Sequence, residues 1–333
     1  MKFPLADWID RHENCRHNLG LSGMKGSIRH PLPTTAAVRS ASEDQLRAEL
    51  ADSVGVDPRR VFLTHGATEG NTSVMFFLAH RSRHRSPRCR VRYPEYPPLF
   101  DTAVEAGFRL TVSSRPAEVA VVSQPRNPEG DRWSDGELDR WAEGARELVV
   151  DETFREFSGN GSLAIRNEPH RWVVGSFTKF FAADDLRVGF VVAPEEAVEE
   201  YARFHGLVFN TLSNYSMAGA LACLRALPRV RGEVGAVLER NRAALQSAFP
   251  KAALPVAPLY FDRLTHESGD SLAQRCLSVS VLVCPGSFFG DPSGVRLCLT
   301  RQSFPRDLEA YLAVRSPSSH WPSRPGPSAS AGT

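Results

Sequence analysis

Between residues 60 and 192 the chain alternates short strand-like runs, several of them continuously apolar, with stretches of helical period. Residues 60–64, 89–93, 109–113, 119–123, 148–150, 172–175 and 188–192 read as strands. The run 119–123 shows no polar alternation, the mark of a strand buried on both faces. Helices fall between these runs. Ser42 with Gln45 three places on predicts a capping box opening a helix through Leu46 and Leu50. A second helix follows Gly66 to about residue 79, and a third covers 97–106. Ser134 with Glu137 predicts another capping box and a helix to about residue 146. Strands alternating with helices at this spacing predict an α/β fold, a three-layer large domain built on a mostly parallel sheet.

From about residue 228 the texture changes. A long helix over 230–249 precedes short strands near 259–261, 279–283 and 294–299, and a last helix from 305. This predicts a smaller α+β domain. Residues 1–40 show no strong period, but Gly20, Gly23 and Gly26 mark backbone that runs close to something else. Residues 316–333, rich in Pro, Ser, Gly and Ala, are expected to be disordered. The expected division is 1–40, 41–227, 228–315 and a tail over 316–333.

Composition narrows the classes. A formal net charge of +2 over 333 residues argues against a nucleic-acid or membrane role. The basic run 81–90 has no interleaved aromatics and reads as a solvated turn. No apolar run approaches the length that spans a bilayer. The six cysteines lack CxxC spacing, which disfavours zinc and a disulfide framework and points to reduced, mostly buried thiols. A soluble, cytoplasmic protein is expected.

Ligands of parallel sheets bind at the carboxyl ends of the strands. Gly66, Ala67 and Thr68 lie there at a helix N-terminus, a place for a phosphate. Tyr96 offers an aromatic face, Asn127 an amide in a Pro-bounded turn, and Asp151 a carboxylate. Ser176 and Lys179 follow the 172–175 strand, and Arg187 comes eight residues later. Taken singly, Asp151 reads as a turn residue, Arg296 as a surface ion pair, Tyr96 as core and Lys179 as a surface lysine. Together, phosphate donors, a ring, an amide, a carboxylate and a lysine describe a site for pyridoxal phosphate (PLP).

The matching stretches are 64–70, 94–96, Asn127-Pro128-Glu129-Gly130, Asp151-Glu152-Thr153-Phe154, Ser176-Phe177-Thr178-Lys179 with Arg187, and 285–290 with Arg296. In this order they resemble the class I and II PLP-dependent aminotransferases of fold type I. Within that superfamily the chain is most similar to histidinol-phosphate aminotransferases and threonine-phosphate decarboxylases. The resemblance implies a homodimer that moves an amino group between an amino acid and a 2-oxo acid through a Schiff base on Lys179. It implies Asp151 at the pyridine nitrogen and Tyr96 against the ring. Asn127 and position 154 fall at the ring hydroxyl, and Gly66, Ala67, Thr68, Ser176 and Arg187 at the phosphate. Arg296, with Asn127 and Gly23, would meet the substrate.

Three departures matter. Phe154 stands where many members carry a tyrosine, Asp185 where glycine is usual, and residues 27–41 hold no tyrosine to give to a partner's phosphate. Phe154 keeps a PLP-dependent decarboxylase, lyase or cyclase open as an alternative, with a non-catalytic regulator as a third reading.

Overall fold

The seven runs read as strands pair into one sheet. A computed structural model describes residues 3–82, 86–166 and 168–315. The expected tail and part of the basic run lie outside the described residues. The chain opens with α1 (Pro4–His12), β1 (His17–Asn18), α2 (Thr35–Ser40) and α3 (Glu43–Val54). It continues through β2 (Val61–Thr64), α4 (Ala67–Arg81), β3 (Arg88–Arg90), α5 (Pro97–Glu105), β4 (Arg109–Thr111) and β5 (Ala117–Ser123). Next come α6 (Asp135–Ala142), β6 (Ala145–Asp151), α7 (Arg155–Ser158), β7 (Arg171–Ser176) and β8 (Gly189–Val192). Three helices follow: α8 (Val198–Val208), α9 (Asn214–Arg225) and α10 (Leu227–Ala248). The rest is β9 (Leu259–Arg263), α11 (Gly269–Ser278), β10 (Val281–Leu282), β11 (Cys284–Pro285), β12 (Gly294–Cys298) and α12 (Phe304–Arg315).

Strand order in the large sheet is β2-β8-β7-β6-β5-β3-β4. The pairs β3–β4, β3–β5, β5–β6 and β6–β7 are parallel, while β8 runs antiparallel to both its neighbours. Successive residues of β5 enter opposite cores, as the strand's period of two requires. Val119 and Val121 pack with Phe77, Leu78 and Tyr201 on one face. Ala120 and Val122 belong to the other core, with Leu46, Leu50 and Leu221. A second, antiparallel sheet has the order β11-β12-β9, and β1 pairs in parallel with β10.

Several boundaries differ from the sequence reading. The helix after Ser134 stops at Ala142 rather than near 146, because Gly144 turns left-handed (φ +79°) and starts β6 three residues early. Its capping box is complete, whereas that at Ser42 is half made: Ser42 accepts from the Gln45 N–H, but the Gln45 side chain reaches Glu49 instead. The single strand expected over 279–283 holds instead the C-cap of α11 at Val279, a left-handed turn at Ser280 (φ +61°) and the short β10. Residues 1–40 contain α1, whose Leu5 packs on Cys284 and Phe289 and whose Trp8 Nε1 donates to the Val283 carbonyl at 2.9 Å. In the basic run, Arg90 is buried and donates to four backbone carbonyls, those of Ser114, Arg115, Trp141 and Glu143.

Helix α4 sits close on the sheet because two glycines allow it. A Cβ at Gly70 would lie 2.9 Å from Val174 Cγ1. At Gly189 it would lie 2.5 Å from the Gly66 carbonyl carbon and 2.8 Å from the Ala67 nitrogen. The neighbours at Gly189 are backbone and cannot swing aside. Gly189→Ala is therefore expected to cost about 1–3 kcal/mol of stability, read as a lower urea midpoint. The same variant should weaken anion binding at the α4 N-terminus, which it displaces.

Candidate active site

Four parallel strands and the helix behind them deliver the polar groups to one end of the sheet. Asp151 ends β6, buried at 3% exposure. Asn71 Nδ2, on α4, donates to its Oδ2 at 2.7 Å, and the Thr153 N–H to its Oδ1 at 2.8 Å. Burial pushes this carboxyl up from 3.8, against the pull of those donors and of the Lys179 charge.

Beside it, Ser123 at the end of β5 accepts from the Asn127 N–H at 2.8 Å. Both the Oγ and the N–H of Ser123 donate to Glu95, which also accepts from the Tyr96 N–H at 2.6 Å. Desolvation pushes the Glu95 carboxyl up to about 8. The Tyr96 phenol is pushed up to about 12, first by burial and then by the Asp151 charge.

Lys179 follows β7 through a short turn in which Ser176 Oγ donates to Thr178 Oγ1 at 2.9 Å and accepts from the Thr178 N–H at 3.1 Å. Desolvation lowers the Lys179 ammonium below 10.5, Asp184 opposes this, and Arg296 adds to it. The chain then returns to the sheet with Ala182 and Arg187 both at positive φ (55° and 51°). Arg187 thereby swings its guanidinium over Gly66: a Cβ there would sit 3.0 Å from Nη2. Gly66 itself has φ +89° and caps α4. Asp185, flagged for replacing glycine, is exposed, with His30 Nε2 3.9 Å away.

Arg296, in the middle of β12, is 1% exposed. Nη1 donates to Asn127 Oδ1 at 3.1 Å, and Nη2 to the Gly20 carbonyl at 3.1 Å. Its guanidinium lies 4.9 Å from the Phe289 ring centre, and its Nε has no partner among the described residues.

Two cavities meet at Lys179. The inner one, about 140 Å³, is lined by Ala67, Thr68, Tyr96, Asn127, Asp151, Phe154, Ser176, Lys179 and Arg187. The outer one, about 560 Å³, is lined by Gly23, Tyr96, Lys179 and Arg296 among others. Of the twelve residues singled out in the sequence, only Gly66 touches neither, and it abuts Arg187. The sequence reading missed Asn71, Glu95, Ser123 and Asp184. Asn71 was readable as one α-turn after Ala67, on the face that meets the sheet. Glu95 stands inside a quoted motif and Asp184 between Lys179 and Arg187, but nothing local tells which way they point.

The family model for aminotransferase class I and II matches residues 35–306. The chain belongs to that family. Its cofactor is PLP, and its chemistry is amino-group transfer. It is similar to a histidinol-phosphate aminotransferase of Aromatoleum aromaticum, 27% identical over 72% of this chain and 73% of the relative. A capreomycidine synthase of Streptomyces vinaceus is 26% identical over 94% of this chain and 92% of its own. An aminotransferase structure from Mycobacterium tuberculosis superposes with a TM-score of 0.77 at 20% identity, covering 94% and 95% of the two chains. That likeness fixes the fold.

The lowered Lys179 ammonium has a measurable consequence. In the cofactor-free chain, acetylation by acetic anhydride followed by peptide mass spectrometry should give Lys179 a titration midpoint below 10.5. Asp184→Asn removes an opposing charge and should lower that midpoint further. An unchanged midpoint in the variant would contradict the charge coupling.

Proposed function

We propose that this aminotransferase exchanges an amino group between an amino acid and a 2-oxo acid, with Lys179 as cofactor anchor and proton carrier. One observation carries the reading: Asp151, Asn127, Tyr96 and Arg187 line a single buried cavity with the Lys179 side chain. The donor set fits PLP. Asp151 is held by neutral donors, Asn71 and a backbone N–H, and so keeps capacity for a cationic ring nitrogen. Gly66 leaves bare backbone beside the Arg187 guanidinium at a helix N-terminus, a cradle for a phosphate.

In this reading Thr68, Ser176, Arg187 and the N–H groups after Gly66 hold the phosphate. Asn127 holds the ring hydroxyl, Tyr96 covers the ring face, and Asp151 pairs with the ring nitrogen. PLP, when bound, supplies an aldehyde that a primary amine attacks and a ring that withdraws electrons. Lys179, biased toward its neutral amine by burial, would anchor that aldehyde and, once a substrate amine has displaced it, would hold the proton taken from the substrate α-carbon. Arg296, fixed by Asn127 and Gly20, offers its guanidinium to the substrate α-carboxylate, with Gly23 at the wall. Phe154, buried against Phe157, supplies no hydroxyl.

The same reading treats 41–227 as the cofactor domain, 228–315 as the small domain and 1–40 as the segment that closes the mouth. It places the protein in the cytoplasm, a reducing compartment suited to six unpaired cysteines. It takes the working unit to be a homodimer that covers exposed residues such as Leu207, 88% accessible. Light scattering should return twice the chain mass, and a monomer would refute that part.

A cyclase reading is favoured by one observation, the similarity to the capreomycidine synthase across 94% of this chain. Two measurements decide. Borohydride reduction of the PLP-loaded protein should fix the cofactor on Lys179 rather than on any other lysine, and Lys179→Ala should lower turnover by at least about 10²–10⁴-fold. Amino acid added without a 2-oxo acid should convert the cofactor stoichiometrically to its amine form. Product without that conversion would select the cyclase.

A further inference from the structure

Asp184 stands in the turn between Lys179 and Arg187, and it lines the outer cavity with Lys179 and Arg296. Its Oδ2 is shielded from bulk water and has no hydrogen-bond partner among the described residues. Desolvating a carboxylate oxygen without supplying a donor is unfavourable, so such an oxygen marks a place where a partner arrives. In the ligand-free chain its charge partner is the Lys179 ammonium. While that amine is committed to the cofactor, before a substrate amine displaces it, Asp184 is left facing the cavity in which the substrate arrives.

The remaining charges of the cavity balance without Asp184. Arg296 is met by the substrate α-carboxylate in the reading above. At the rim, Lys25 and Arg301 stand with Asp10 and Glu13, two cations with two anions. Asp184 is then the uncompensated charge. Gly23 lies against both partners: a Cβ there would sit 3.5 Å from Lys179 Cδ and 3.9 Å from Asp184 Oδ2.

We propose that Asp184 determines specificity by receiving a cationic side-chain nitrogen, so that the amino-acid substrate is a basic one ending in an ammonium or guanidinium. The inference rests on reading this cavity as the substrate site of a PLP aminotransferase. A charge-assisted hydrogen bond in a water-poor cavity is stronger than a neutral one. An uncharged isostere that leaves the carboxylate unpaired is rejected more sharply than a change of size would be.

The test uses PLP-loaded protein, with binding measured by calorimetry and by the absorbance of the bound cofactor. The probes are two isosteric pairs, L-arginine with L-citrulline and L-lysine with L-norleucine. At least one cationic member should bind roughly tenfold to a hundredfold more tightly than its neutral isostere. Asp184→Asn should abolish that difference while changing the isostere's affinity by less than about threefold, and Asp184→Glu should retain part of it. Equal binding within both pairs to the unaltered protein overturns the proposal, even where a variant fails to fold. An Asp184→Asn loss shared equally by both members does so too, and assigns the carboxylate to the α-amino group. Reductive trapping on a lysine other than Lys179, seen before any amino acid is added, would instead sink the underlying reading and this inference with it.

Discussion

A carboxylate buried at the end of a strand must be held by donors or it takes up a proton, and Asp151 is held from behind the sheet. Its side-chain donor Asn71 rides on α4, so the helix has to lie close against the strands. That closeness depends on Gly70, where a Cβ would collide with Val174, and on Gly189, where it would collide with the backbone of Gly66 and Ala67. One packing distance therefore sets three things. It seats Asn71 on Asp151, brings the α4 N-terminus level with the strand ends, and lets Arg187 close over Gly66. The polar site is a by-product of how tightly a helix fits a sheet.

A second chain of contacts joins this sheet to the smaller one. Glu95 receives Ser123, Ser123 receives the Asn127 backbone, and the Asn127 side chain receives Arg296 from β12. Glu95 also donates its own N–H to the Phe289 carbonyl at 3.0 Å, a second tie between the same two bodies. Buried polar contacts of this kind favour one relative arrangement of the elements they join, because breaking them strands desolvated groups. The grip expected on a substrate carboxylate is thus registered to the cofactor cavity through side chains, not through apolar packing alone.

Much of this was legible in the chain because buried parallel strands announce themselves as unbroken apolar runs. The central strands β5, β6, β7 and β8 were visible in that way, β3 and β4 less purely because arginines interrupt them, and the strand ends pointed to the residues that line the inner cavity. What the sequence concealed was decided by tertiary contact. Helix α1 is short, and its Leu5 and Trp8 take meaning only from Phe289 and Val283, nearly three hundred residues on. Asp184 and Asp185 are adjacent and chemically identical. One lines the outer cavity and the other stands exposed, and the left-handed residues on either side, Ala182 and Arg187, shape the turn that separates them. Gln45 matched a capping box by spacing, but its side chain found Glu49 closer than the helix start.

The segment from Leu19 to Met24 is bonded to the small sheet, to Arg296 and to the Lys179 backbone. The Leu19 carbonyl receives the Cys298 N–H, its N–H reaches Leu282, the Gly20 carbonyl receives Arg296, and the Met24 N–H donates to the Lys179 carbonyl at 2.9 Å. Because those bonds are made by backbone, they are indifferent to which side chains the segment carries. The strap can therefore change its side chain at Ser22 without loosening its anchorage, while an insertion or deletion would disturb the arginine and the lysine together. Divergence of substrate preference in such a framework is channelled into substitutions on the strap and in the Lys179–Arg187 turn, and away from changes in loop length.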